Sequence, residues 1–273
     1  MPKSPLHRSF NNERDPFSEW RPILAFLVLV NAVGWLACLL LRATFAAGHL
    51  WAFFTFVFVT VWSPTVIALA LSFSFEGTLG VRKLIGFLFR RLSKKNVWYL
   101  IGIAVPVAAV ASAIIIARHL HSGAAFLPLE ALPLTLGLQV FTGAMGEELG
   151  WRGFLLSHLE HMLSPRVAAL VMAITWALWH IPAFFFPGMA QQHMPPAAFL
   201  LMVTAFGIFL ALIFNRTKGH LVSTMLAHFS FNMCLAAGGA ILGSVFIWTL
   251  AVIFSIIAIF GLAKLSAQPL RIA

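Results

Sequence analysis

The chain has 273 residues, of which 61% are hydrophobic and 10% are charged. That balance excludes an ordinary water-soluble domain, because a soluble fold of this length needs a larger charged surface. The formal net charge of +10 does not indicate nucleic-acid binding, since the basic residues are not interleaved with aromatic residues on a polar face. The composition therefore predicts a protein embedded in the lipid bilayer that binds no nucleic acid.

About eight apolar stretches are long enough to cross a membrane core, which needs roughly 20 helical residues. In chain order they run near Ile23 to Leu41, Trp51 to Phe75, Val97 to Ala117, Leu132 to Ser157, Pro165 to Phe186, Ala197 to Phe214, Leu221 to Ala237 and Ile241 to Leu262. They predict an all-α polytopic bundle of about eight transmembrane helices. No internal repeat or low-complexity linker divides the sequence, so residues 1–273 are predicted to form a single membrane domain.

The basic residues are distributed unevenly between the two ends of these spans. If the N-terminus is cytoplasmic, only Arg42 and Arg118 of the 18 Lys and Arg residues fall outside, which leaves 16 on the cytoplasmic side. This asymmetry follows the positive-inside rule. Both termini are therefore predicted to be cytoplasmic. The basic stretch from Gly80 to Lys95 fits an interfacial helix and a topology-setting loop equally well.

Two adjacent acidic residues, Glu147 and Glu148, are the ones that lie well inside a predicted span. A carboxylate there costs several kcal/mol, so such residues are functional candidates by default. Arg152 follows Glu148 by one helical turn, where the two can form an ion pair. Glu147 then points about 100° away and can face a cavity. The alternative is that all three residues only lock helices together.

Two histidines, His180 and His228, lie within apolar runs, and Asn232 follows His228 by one turn. A lone buried histidine is usually a packing residue. Here three separate helices each carry an imidazole or a carboxylate, which favours a shared polar site. At about 1.5 Å per residue, Glu147 and His228 come near mid-membrane, whereas His180 fits only if its helix is tilted or starts later.

These residues belong to three ordered motifs: Gly146 to Gly153 (GEELGWRG), Trp176 to His180 (WALWH) and His228 to Asn232 (HFSFN). Together they resemble the CPBP family, which comprises the CAAX proteases and the bacterial bacteriocin-processing and self-immunity (Abi) proteins. The family pattern is EExxxR, then FxxxH, then HxxxN or HxxxD on successive helices. The resemblance marks a catalytic core at about residues 132–237. Trp176 replaces the usual Phe and is expected to keep its packing role beside His180.

The resemblance implies an intramembrane endopeptidase that hydrolyses a peptide bond of a membrane-associated substrate, with prenylated CaaX tails as one class. Glu147 and His180 would activate a water molecule, and His228 and Asn232 would support the oxyanion or the water. Glu148 with Arg152 would orient Glu147. The implied partners are a peptide or lipidated-protein substrate and the lipid bilayer.

The role of a metal is left open by the residue types. Glu147, His180 and His228 form a two-His, one-carboxylate set of the kind that zinc or another divalent metal accepts. The family has been described both as metalloproteases and as metal-independent glutamate proteases. We favour no cofactor, because Glu147 is needed as the base and Glu148 is committed to Arg152.

Two other classes of function are compatible with a buried polar cluster. A non-enzymatic membrane immunity or scaffold protein would keep the cluster for helix packing alone. An ion-coupled transporter would use Glu and His residues as a relay. The transporter is less favoured, because the spans show no paired halves with matching interruptions.

Overall fold

The computed structural model describes residues 18–91, 97–120, 143–237 and 243–268, together with residues 137, 139 and 141. Within these residues the chain forms helices and turns and contains no β-strand. Six of the described helices are long and apolar enough to cross a membrane. The predicted class, an all-α polytopic membrane bundle, is confirmed. The predicted start of the fourth span at Leu132 and the two chain termini lie outside the described residues.

The α-helices of the described residues are α1 (Trp20–Ala46), α2 (Leu50–Gly86), α3 (Trp98–Leu120), α4 (Ala144–Glu148), α5 (Ser157–Met162), α6 (Pro165–Trp179), α7 (Pro196–Arg216), α8 (Leu221–Ala237) and α9 (Ser244–Lys264). A π-helix, Leu149–Leu156, joins α4 to α5. Short 3-10 helices cover Phe87–Phe89, Ile181–Phe184 and Ala190–His193. Among the predicted spans, the seventh corresponds to α8, which at 17 residues is shorter than the six long helices.

The second predicted span ends where helix α2 changes direction. Gly77 has φ 63° and ψ −152°, a conformation that glycine adopts without a steric penalty. This break separates the predicted span, which ends at Phe75, from the basic stretch that follows. That stretch continues as α-helix to Gly86 and as a 3-10 helix to Phe89, and it leaves helical geometry at Arg90.

The fourth predicted span is not one uninterrupted helix. The backbone leaves helical geometry at Gly143, where φ is −148° and ψ is −114°, and α4 begins at the next residue. The chain then passes into the π-helix, a form that occurs frequently at functional sites. The prediction of a continuous helix up to Ser157 is therefore wrong at Gly143. Glu147 lies in the first turn of α4 instead of the middle of a long helix.

Helix α4 and the π-helix pack very closely against α2. A Cβ atom on Gly146 would lie 2.7 Å from the carbonyl oxygen of Val61, and one on Gly150 would lie 2.5 Å from the backbone of Pro64. Small residues four positions apart allow two membrane helices to approach at the level of the backbone. The two glycines therefore fix the position of the intervening carboxylates, Glu147 and Glu148.

Helix α7 is the central helix of the bundle. Of its apolar span 78% is buried, compared with 50% for α6 and 33% for α1. It packs mainly against α6 and α9.

Basic residues tie several helix ends together at one end of the bundle. Arg90, just after α2, donates to the carbonyl oxygen of Lys218, in the turn between α7 and α8. Arg216, at the end of α7, donates to the carbonyl oxygen of Lys264, the last residue of α9. Arg166, at the start of α6, donates to two carbonyl oxygens at the end of α9. We call this the basic end, and its cytoplasmic location remains a prediction from the positive-inside rule.

Candidate active site

The second motif lies at the end of helix α6. Pro165 starts the helix, and Ser164 caps it by accepting a hydrogen bond from the backbone of Val167. Pro182 follows the last turn and disfavours further helix. His180 is the residue that ends α6, roughly 22 Å from the basic end for a helix of 15 residues. His180 lies inside the span, as the sequence predicted, at the point where the α-helix passes into the 3-10 helix Ile181–Phe184.

The predicted ion pair between Glu148 and Arg152 is present. The Nη1 atom of Arg152 donates to Oε1 of Glu148 over 2.7 Å, and both side chains are fully buried. The guanidinium of Arg152 also lies over the ring of Trp176, 4.3 Å from the ring centroid. The aromatic face thus supplies a second attractive contact for a cation that has lost its water.

Glu148 also contacts the third motif. Its Oε1 atom lies 2.8 Å from Nδ1 of His228. A carboxylate paired with Arg152 is ionised and can only accept, so Nδ1 of His228 carries a proton. This leaves Nε2 of His228 as the nitrogen available to a ligand. The sequence assigned Glu148 the task of orienting Glu147, but its direct contacts are with Arg152 and His228.

Glu147 is held by a residue that sequence reasoning treated as packing only. The Nε1 atom of Trp176 donates to Oε2 of Glu147 over 2.8 Å, and both residues are buried. The family's usual Phe has no hydrogen-bond donor at this position. The sequence feature that could have predicted this hydrogen bond is the replacement of Phe by Trp, because Trp adds an indole N–H donor to an aromatic ring.

The ring of Trp176 also contacts both histidines. Its centroid lies 5.4 Å from that of His180 and 5.3 Å from that of His228, each in an edge-to-face arrangement. The expected ring contact beside His180 is therefore present. Nδ1 of His180 lies 2.8 Å from the carbonyl oxygen of Trp176. Since a carbonyl only accepts, this Nδ1 carries a proton, and the lone pair of His180 lies on Nε2.

Five of the seven residues singled out from the three motifs line one cavity of about 510 Å³, whereas Glu148 and Arg152 lie buried outside its lining. Glu147, Trp176, His180, His228 and Asn232 contribute its polar part, and most of the remaining wall consists of apolar side chains. The condition on which the sequence interpretation depended was that the carboxylate and both imidazoles share one pocket. In the structure, Glu147, His180 and His228 all line the same cavity.

Part of the cavity wall comes from a helix without a recognisable motif. The first third of α2 contributes residues 53–61, including Phe56 and Thr60. Gln139 is another lining residue that sequence reasoning missed. Only their place in the fold reveals them, because an apolar side chain on a membrane helix can face lipid or a cavity with the same hydropathy.

The metal alternative concerns the arrangement of Glu147, His180 and His228. Within the part of the chain that the structure describes, no group of three or more His, Cys, Asp or Glu side chains is arranged to hold a metal ion. The carboxylate of Glu147 is turned toward the indole of Trp176 instead. The preference for a mechanism without a metal stays a prediction.

Fold and cavity define a multi-pass membrane protein that encloses a carboxylate–imidazole site among apolar helices. Residues 128–234 match the family model described as type II CAAX prenyl endopeptidase Rce1-like. CAAX prenyl protease 2 of Methanococcus maripaludis is 27% identical over 93 residues, or 32% of this chain and 34% of that protein. The match thus spans about a third of the relative's length. Residues 128–234 thus resemble the Rce1-like family of CAAX proteases, and the resemblance seen in the three motifs is confirmed.

Proposed function

We propose that this protein is an intramembrane endopeptidase that hydrolyses a peptide bond of a membrane-associated substrate with a water molecule activated by Glu147 and His180. The observation that carries the proposal is the presence of Glu147, His180 and His228 on one intramembrane cavity. The match of residues 128–234 to the model of a family of CAAX endopeptidases supports the same reaction class.

The first chemical step is attack of the water on the scissile carbonyl carbon. Glu147 takes a proton from the water as the new C–O bond forms, and Nε2 of His180 accepts a hydrogen bond from the second O–H. The indole N–H of Trp176 donates to Oε2 of Glu147, so Oε1 of Glu147 is the oxygen that can accept the proton of the water. The apolar wall excludes bulk water, which strengthens these electrostatic interactions.

The carbonyl oxygen becomes an oxyanion in this step. The side-chain amide of Asn232 can donate to it, and His228, whose Nδ1 donates to Glu148, supports the water through Nε2. Glu147 then gives its proton to the nitrogen of the leaving amine, the C–N bond breaks and the two peptide products separate. Asn232 thus acts on charge that develops in the transition state.

The walls of the cavity indicate the kind of substrate. Its phenylalanine and methionine side chains suit an apolar group next to the scissile bond. A hydrophobic peptide or a lipid-modified tail would provide one. Prenylated CaaX peptides belong in the test because the relative in Methanococcus maripaludis is a CAAX prenyl protease.

The direct test is cleavage of a peptide panel by purified protein. The panel contains farnesylated CaaX peptides, the same peptides without the lipid, and hydrophobic peptides without a CaaX end. We expect Glu147→Gln, a nearly isosteric change, to lower kcat by about 10²- to 10⁴-fold, because it removes the general base. The control is Glu76→Gln, which alters an exposed carboxylate paired with Lys83 and should leave kcat unchanged.

The same panel distinguishes the alternatives. Full cleavage by Glu147→Gln would reject the proposed mechanism. A scaffold or immunity protein would cleave nothing and would keep its biological activity in Glu147→Gln. A transporter would show ion-dependent solute uptake in liposomes. Loss of cleavage with a chelator and its recovery with zinc would replace the metal-free mechanism by a metal-dependent one.

A further inference from the structure

The turn at Gly143 leaves room for two side-chain amides at the cavity wall. A Cβ atom on Gly143 would lie 2.8 Å from Nδ2 of Asn232 and 3.8 Å from Oε1 of Gln139. Both amide side chains belong to the cavity lining. The two amides therefore lie around the same point, and any side chain at position 143 would displace that of Asn232.

The backbone that carries Gln139 is held at two points. The carbonyl oxygen of Phe141 accepts a hydrogen bond from Nε1 of Trp62 in α2 over 2.8 Å. The carbonyl oxygen of Gly143 accepts one from the backbone N–H of Gly146 over 3.0 Å. Gln139 is thus fixed relative to α2, which lines the cavity, and to α4, which carries the catalytic carboxylate.

A peptide in this cavity needs partners for its backbone. Most of the wall is apolar, so each N–H and C=O group that leaves water must find a hydrogen bond or lose free energy. In the proposed mechanism, Glu147 and His180 hold the water, and Asn232 donates to the scissile carbonyl oxygen. The N–H group of a residue beside the scissile bond therefore needs an acceptor from another lining residue.

Gln139 is placed to be that acceptor. Its side chain is partly buried next to the amide of Asn232 and forms no hydrogen bond with another described residue. Its amide has one acceptor oxygen and two N–H donors, so it can bond both polar groups of a peptide backbone. Three other polar atoms of lining residues are buried and inaccessible to solvent: Oγ1 of Thr60, Nε1 of Trp179 and Oε1 of Gln191.

We propose that Gln139 is a substrate-binding residue whose Oε1 atom accepts a hydrogen bond from a backbone N–H group of the peptide beside the scissile bond. The proposal rests on the proposed function and deepens it, because the substrate is then bound in part through its main chain, next to the oxyanion donor Asn232. Binding through the main chain does not depend on the side chains of the peptide. The apolar wall is left to select the hydrophobic group.

Gln139→Met tests this contact, because methionine has nearly the same length and lacks the amide. We expect KM for the best-cleaved peptide of the panel to rise about 5- to 10-fold and kcat to stay within about threefold of the wild type, since the lost bond is made equally in the ground state and the transition state. The unfolding temperature should not change, because the amide has no bond to another described residue to lose. Gln192→Met, at an exposed glutamine, is the matched control and should leave KM and kcat unchanged.

Peptides in which an ester oxygen replaces one backbone N–H group identify the partner of Gln139. The replaced groups are those of the two residues before the scissile bond and of the second residue after it, so the scissile bond itself stays an amide. At one position we expect the ester to raise the KM of the wild type about 5- to 10-fold and to leave that of Gln139→Met almost unchanged, since the acceptor is then already absent.

A wild-type KM for Gln139→Met, or equal effects of every ester on the two proteins, overturns the inference. A lower unfolding temperature together with a lower kcat would show a structural role and overturn it as well. Failure of the proposed function is a separate result, namely full peptide cleavage by Glu147→Gln, which does not alter the comparison of Gln139→Met with the wild type.

Discussion

The two halves of the bundle are built from similarly apolar sequence but differ in how they are filled. In the half near the basic end, α7 is buried on all sides from Gly207 to Phe214. In the other half, the same helix faces a cavity of about 510 Å³ together with Glu147, His180 and His228. The polar residues of the site thus lie where the close packing of α7 ends. The hydropathy of α7 does not show where its packed segment ends and its cavity-lining segment begins.

A buried polar layer marks the boundary between the halves. Arg152 pairs with Glu148, Glu148 accepts from His228, and the guanidinium of Arg152 lies over Trp176. Trp176 in turn donates to Glu147. Each of these side chains neutralises or orients the next, so the layer supports the site above it and closes the packed half below it.

The largest expected effect comes from breaking this layer with Arg152→Met. The change leaves the Glu148 carboxylate buried without its cation, which should destabilise the folded protein by about 3–5 kcal/mol. Thermal unfolding in detergent measures the loss. Lys83→Met breaks an exposed pair with Glu76 and should change the unfolding temperature little.

A double variant sharpens the same comparison. Arg152→Met combined with Glu148→Gln removes both charges, so it should recover much of the lost stability while His228 still lacks its carboxylate. An Arg152→Met protein as stable as the wild type would show that the ion pair does not support the boundary.

The next effect concerns the contact between the π-helix and α2. Gly150→Ala introduces a Cβ atom 2.5 Å from the backbone of Pro64, so the two helices must separate. We expect a loss of about 1–3 kcal/mol in stability, a typical cost of overpacking. Peptide cleavage should fall as well, because the shift displaces Glu147.

Gly86→Ala is the matched control for this change. It lies at the end of α2, and its added Cβ would meet no atom within 4 Å among the described residues. Equal stability and activity of the two alanine variants would argue against a close approach at Gly150.

Much of the architecture could be predicted from the sequence, because a span is defined by length and composition alone. The ion pair of Glu148 and Arg152 follows from a spacing of four residues, and the three motifs contain the carboxylate and both imidazoles that line the cavity. The break at Gly143 and the π-helix could not be predicted, since apolar residues there satisfy the hydropathy of a continuous helix.

Contacts between helices were the other part that the sequence did not reveal. The bond from Trp176 to Glu147 joins residues 29 positions apart, and that from His228 to Glu148 joins residues 80 apart. Helical periodicity tells which side chains share a face of one helix. It does not tell which donor on another helix will meet a given carboxylate.

A smaller effect is expected for Trp176→Phe, which keeps an aromatic ring in the cavity wall and removes the indole N–H. Glu147 then loses the donor that fixes its Oε2 atom. Misplacement of a catalytic base reduces turnover more than binding, so we expect kcat to fall about 10- to 100-fold with KM nearly unchanged. Steady-state kinetics on a cleaved peptide give both values.

Trp179→Phe provides the control for this variant. The Nε1 atom of Trp179 is buried and has no hydrogen-bond partner among the described residues, so its removal should leave kcat close to that of the wild type. Equal kcat values for Trp176→Phe and Trp179→Phe would show that Trp176 acts only as a packing residue. A drop in unfolding temperature alone would lead to the same conclusion.

The smallest effect lies in the packed half, at Glu160 of α5. Its carboxylate is buried and accepts a hydrogen bond from Nδ2 of Asn215 over 2.7 Å. Burial raises the pKa of Glu160 from 4.5 to about 7, and the bond from Asn215 opposes this only in part. The folded state therefore holds a proton that the unfolded state has released between these two pH values.

Because of this difference, the stability of the wild type should fall as pH rises from about 4.5 to about 7 and level off above that range. Glu160→Gln keeps an oxygen that accepts from Asn215 but cannot ionise. We expect this variant to unfold at a higher temperature than the wild type at pH 8 and at nearly the same temperature at pH 4.5. A constant gap between the two proteins across this range would mean that Glu160 does not titrate on folding, and that the packed half tolerates a charge as readily as the half that contains the cavity.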